Sequence, residues 1–247
     1  MLEVCIDSLE SALNAIQGGA DELEVCSSLV EGGLTPSAGL VKQIVRRVNE
    51  SNGKVTKVNV MIRCRGGSDF YYTKEEMDTM IADINILKEF DVHRFVFGAL
   101  TDKQEIDEVN CSKVVAAAHP LPVTFHRAFD NCKDPNVAIK KIIKLGFNRI
   151  LTSGQRSSAS DMEAIKLIAS LVDSNRNKIQ IMPGSGVNAA NAKTFIDLGC
   201  EIVHSSCRKP KHLLSAEKSV SMGGADSEII YVSDEEMVRK TKLAINS

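Results

Sequence analysis

Short runs of alternating apolar and polar residues recur roughly every thirty positions, with amphipathic stretches between them. The alternation predicts strands at 2–6, 22–26, 56–62, 94–98, 122–127, 149–152, 179–183 and 201–205. Apolar positions at helical spacing predict helices over 8–17, 37–49, 74–90, 137–145, 161–172 and 189–198, and a last one near 234–245. Gly19, Gly146 and Gly199 stand just past helix ends, and each leads directly into a strand. The turns at the other ends of the strands, such as 27–36, 65–73 and 153–160, are longer and rich in Gly and Ser. This asymmetry predicts one α/β domain over residues 1–247, a (β/α)8 TIM-type barrel with its site on the long loops. An open doubly wound sheet would carry its Gly-rich fingerprint at the first strand, whereas the nearest match, Gly184-Ser185-Gly186, follows the seventh. A polar insert at 208–231 breaks the repeat after the eighth strand and is expected to be a loop or lid over the barrel mouth.

Outward strand positions of such a barrel pack on helices and must be apolar. That requirement turns Val4, Leu23, Val25, Val58, Val60, Val123 and Phe125 outward. Glu3, Cys5, Glu24, Cys26, Asn59, Met61, Arg63, Thr124, His126 and His204 are left inside. Because Leu-Glu-Val-Cys occurs at both 2–5 and 23–26, two thiols and two carboxylates are expected to converge on one patch. Branched aliphatics usually fill a barrel, and a buried carboxylate is costly unless paired. A purely structural alternative pairs Glu24 with Arg63, or Glu3 with a neighbouring Asn or Arg, and leaves the thiols inert.

Composition narrows the function classes. Thirty Lys and Arg against thirty-two Asp and Glu leave a charge of −2, which argues against a nucleic-acid partner. No apolar run is long enough to span a membrane, and the start has no basic leader, so a cytoplasmic location is expected, with the nucleus open to diffusion. Seven dispersed cysteines without a C-x-x-C pair predict reduced thiols.

Several segments carry a family resemblance. They include Glu3-Val4-Cys5-Ile6-Asp7-Ser8, Glu24-Val25-Cys26, Met61-Ile62-Arg63, Thr124-Phe125-His126-Arg127-Ala128-Phe129-Asp130 and Met182-Pro183-Gly184-Ser185-Gly186. Through these the chain resembles the CutC-type copper homeostasis family. The resemblance implies a barrel, a homo-oligomer and binding of copper as Cu(I), with Cys5 and Cys26 as the matching metal ligands. Cu(I) is soft and favours thiolates, so the implication is chemically consistent. Cys64 stands where the family usually has Pro, and Ser205-Ser206-Cys207 also departs from its pattern.

The remaining polar set supports a different expectation, an enzyme acting on an anionic small molecule by lyase, isomerase or hydrolase chemistry. Glu24 and His126 would serve as general base and acid, and Arg63 would hold anionic oxygens. Glu3, Asn59, Thr152, Gly184, Ser185, Gly186 and His204 would line the ligand, with the Gly-Ser-Gly turn offering backbone N–H groups.

Overall fold

The computed structural model describes residues 1–50, 56–213 and 228–247. Eight short strands form the barrel: β1 (Leu2–Ile6), β2 (Glu22–Val25), β3 (Lys57–Met61), β4 (Arg94–Phe97), β5 (Val123–Phe125), β6 (Arg149–Thr152), β7 (Gln180–Pro183) and β8 (Val203–Ser205). Their order is β7-β6-β5-β4-β3-β2-β1-β8, and every adjacent pair is parallel. β7 and β8 lie side by side, but among the described residues no ladder joins them, so the barrel is nearly closed. The predicted (β/α)8 architecture is the one found.

Helices α1 (Leu9–Gln17), α2 (Ala38–Glu50), α3 (Lys74–Leu87), α4 (Glu108–Ala118), α5 (Pro135–Lys144), α6 (Met162–Ser174), α7 (Ala192–Asp197) and α8 (Glu235–Ala244) surround the strands. Side-chain caps fix where several of them begin. Ser8 accepts the Ser11 N–H, Asp134 and Asp161 each accept two first-turn N–H groups, and Thr73 forms a capping box with Glu76. The outward strand residues, among them Val4, Leu23, Val60 and Phe125, are fully buried against helix residues such as Ile44, Ile84 and Ile142. This layer between sheet and helices is the main apolar core, as the alternation required.

The segment after β8 departs from the simple expectation. Its ends form an antiparallel ribbon of β9 (Arg208–His212) and β10 (Ile229–Ser233), tied to α1 by Lys211 bonding Glu10 at 2.8 Å. The rest of the expected lid, 214–227, lies outside the described residues.

Inside the barrel two small apolar groups, Cys26 with Met61 and Val96, and Leu151 with Met182 and Ile202, flank a polar column. The lower end of that column is a hydrogen-bonded, ion-paired network. Asn59 Nδ2 donates to Glu3 Oε2 at 2.6 Å and to Glu22 Oε2 at 2.7 Å, while Arg149 grips both oxygens of Glu22 at 2.7 and 3.2 Å. Arg149 also lies 3.6 Å from Glu3. Burial alone would raise the Glu22 carboxyl, but the Arg149 hydrogen bonds and charge outweigh it and hold Glu22 down to about 2.

Candidate functional site

Two cavities mark the ends of the barrel. The one at the N-terminal ends of the strands, ≈ 590 Å³, is lined by Glu22 and Arg149 of the network just described, and by Arg94. The other, ≈ 800 Å³, opens at the C-terminal ends, where barrel loops build sites. Cys5, Glu24, Met61, Arg63, His126 and His204 all line it. The second cavity is the candidate site, because its polar groups are not all satisfied by one another.

At its inner wall Cys5, Glu24 and His204 come together, one ligand atom of each lying within 4.8 Å of the others. The strand register explains the grouping. Cys5 pairs with Glu24 across β1 and β2, and His204 pairs with Glu3 across β1 and β8. Glu3 Oε1 bonds His204 Nδ1 at 2.8 Å, which fixes the imidazole and leaves Nε2 facing Glu24 Oε2 at 3.8 Å. The two thiols therefore do not stand directly opposite each other. Cys26 follows one inward position beyond Glu24, with its Sγ 3.6 Å from Glu24 Oε2. Glu24 sits between the thiols in place of the direct thiol–thiol contact that the repeated tetrapeptide suggests.

Burial shapes the charges here. It pushes the Glu24 carboxyl up to about 7, with His204 opposing and the Glu3 charge adding to the rise. Burial likewise drives the Cys26 thiol well above its ordinary value, and the Glu24 charge reinforces it. His204 moves the other way. Burial opposes its protonation, but Cys5, Glu24 and Glu3 together raise it well above the usual imidazole value.

The outer part of the cavity holds Arg63 and His126. Contrary to the structural alternative, Arg63 does not pair with Glu24. Its Nη1 donates to the carbonyls of Glu31 and Gly33 at 2.8 and 3.0 Å, and its Nη2 to Gly67 at 2.6 Å. The loop after β2 is shaped for this, since Thr35 and Arg63 exchange hydrogen bonds through Thr35 N–H and Arg63 N–H. His126 follows β5, its Nδ1 accepting the Ala128 N–H at 3.1 Å. Gly98 makes room for it, because a Cβ there would lie 2.6 Å from His126 Nδ1. Burial, then the Arg63 charge, pushes His126 down to about 3, so the ring is neutral near pH 7.

Other expected ligand-binding residues serve the frame. Thr152 donates to Asp130 at 2.5 Å and accepts the Gly154 N–H. Gly184 is where β6 and β8 crowd β7: a Cβ would meet Leu151 at 2.6 Å and His204 at 3.3 Å. Ser185 donates to the Ser157 carbonyl at 2.8 Å, and Gly186 O accepts from Asn188 and Asn191, though both residues reach the cavity rim. Arg65 is held by Asp69 and Glu76. Arg127 lies past the end of β5 and pairs with Asp130.

Three residues central to this interior escaped the sequence reading. Glu22 shares the inward parity of Glu24, and Arg149 shares that of Leu151, so alternation could have found both. Asp130 gave no such signal.

With the geometry in hand, comparison with known proteins is specific. The CutC family model matches residues 1–209. A copper homeostasis protein cutC homolog of Mus musculus is 42% identical over 228 residues, covering 91% of this chain and 80% of that protein. The homolog of Caenorhabditis elegans is 39% identical over 245 residues, covering 99% and 94%. The crystal structure of a putative copper homeostasis protein CutC from Streptococcus agalactiae superposes with a TM-score of 0.77 at 33% identity, covering 83% of this chain and 98% of that one. Matching over this length, with the same barrel, shows that the chain belongs to the CutC family.

Proposed function

We propose that this protein takes part in copper homeostasis by binding Cu(I) as cargo at the inner wall of the barrel mouth. The observation that carries the reading is the convergence of Cys5, Glu24 and His204 within 4.8 Å. Relatives bearing the name copper homeostasis protein supply the metal. The donor chemistry suits it: a thiolate from Cys5 and an imidazole nitrogen from His204 are ligands that Cu(I) accepts, and Cys26 supplies a second thiol beside Glu24. A carboxylate is a harder donor and a poor Cu(I) ligand, so the role of Glu24 is to carry charge and protons next to the ion rather than to bind it. Glu3 holds the imidazole in place, as outer partners of metal-ligating histidines do.

Anaerobic competition against a chromophoric Cu(I) chelator tests the assignment. Cys5→Ser and His204→Gln should each weaken Cu(I) binding by about a hundredfold, and Cys26→Ser should weaken it less. A Cys5→Ser, Cys26→Ser double variant that keeps the wild-type stoichiometry and affinity would exclude this site.

A further inference from the structure

We propose that the outer half of the mouth binds a small organic monocarboxylate, whose oxygens accept hydrogen bonds from Arg63 Nε–H and His126 Nε2–H. Two independent orphans point to it. Arg63 is 5% exposed, and its Nε has no hydrogen-bond partner. Its other N–H bonds go to three neutral carbonyls, and among the described residues no carboxylate lies within ion-pair distance. A buried guanidinium without a counter-charge is costly, and a bound anion removes that cost. His126 is 3% exposed, and its Nε2 is likewise unpartnered. Since Nδ1 accepts the Ala128 N–H, the ring proton belongs on Nε2, which makes it a second free donor.

Both residues line the same cavity and flank one aromatic ring. The Arg63 guanidinium lies 5.3 Å from the Phe70 centroid, and the His126 ring lies 5.0 Å from it. The charge at this spot identifies the anion class. Arg63 contributes one positive charge and the neutral imidazole none, while the nearby Arg127 is already paired with Asp130. A single charge and two N–H donors match a carboxylate better than a phosphate dianion. Leu29, Met61, Leu151 and the Phe70 ring give the ligand an apolar wall, so the carboxylate should carry an apolar body.

The site makes no use of a metal, so its test uses metal-free full-length protein and is independent of copper binding. Benzoate is the probe, with benzamide as its uncharged counterpart and inorganic phosphate as the competing anion. Titration calorimetry should show saturable benzoate binding, with benzamide and phosphate at least about tenfold weaker. His126→Phe keeps a ring against Phe70 but removes the donor, and should weaken benzoate about tenfold. Arg63→Gln should do at least as much, and because Arg63 also ties two loops together its circular dichroism is recorded beside that of His126→Phe. Absent benzoate binding, equal affinity for benzamide, tighter binding of phosphate, or unchanged affinity in folded His126→Phe would each overturn the proposal.

Discussion

Asn59 places one amide nitrogen between Glu3 and Glu22, and so decides what lies beneath the mouth. Two carboxylates facing each other across adjacent strands would repel, and the amide together with Arg149 makes the pair tolerable. Glu22 has its folded value near 2 against an ordinary 4.5. A carboxyl lowered in this way contributes its stability in full above the unfolded value, and loses it as pH falls toward the folded one. Glu22→Gln should therefore cost on the order of 3 kcal/mol at neutral pH. The gap from wild type should narrow as pH drops from 4.5 toward 2. Urea unfolding at a series of pH values down to about 3 checks this. A gap that stays constant over the series would mean that the charge of Glu22 contributes nothing. Much at this scale was legible, since alternation correctly turned Glu3, Glu24, Asn59, Arg63, His126 and His204 inward. Arg149 was missed because an Arg opening a strand reads as an exposed turn residue. The signal was its parity: Arg149 stands two positions before Leu151, on the same face of the strand, and buried carboxylates call for a buried cation.

At the scale of elements, the loop after β6 depends on a neighbour. Asp130, in the short turn after β5, accepts hydrogen bonds from Thr152 Oγ1, Ser153 N and Oγ, and Gln155 N, and pairs with Arg127. One carboxylate thus ties two consecutive loops of the mouth. Asp130→Ala should lower stability by about 3 kcal/mol, since several buried donors lose a charged acceptor together. Thermal unfolding and limited proteolysis would read this out, with new cleavage expected within 153–160. Wild-type stability and an unchanged digest would show that the loop holds itself. Periodicity cannot see an acceptor of this kind, because its partners come from a different repeat. The β9–β10 ribbon was hidden for a related reason. Arg-Lys-Pro-Lys-His has no apolar alternation, and its pairing is supplied by the partner strand rather than by its own residues.

Over the whole molecule, the eightfold period, the short turns at one rim and the long loops at the other were all written in the sequence. The incomplete seam between β7 and β8 was not, because it depends on how the last strand meets an earlier one. The described links there are contacts such as Ser205 Oγ donating to the Val187 carbonyl at 2.7 Å. Without a ladder, amides along this edge are protected by fewer hydrogen bonds. Hydrogen exchange should be faster in peptides covering 180–187 and 201–205 than in those covering 22–25 and 57–61. Equal protection of the two sets would mean that the seam is as tightly bonded as the rest of the cylinder.

The plug formed by Arg149, Glu22, Asn59 and Glu3 has a consequence for traffic. It makes the molecule a blind cup rather than a conduit: whatever enters past the long loops must leave the same way. On the proposed reading, any protein that delivers an ion to Cys5, or collects one from it, would have to dock on the same rim, and donor and recipient could not occupy it at once.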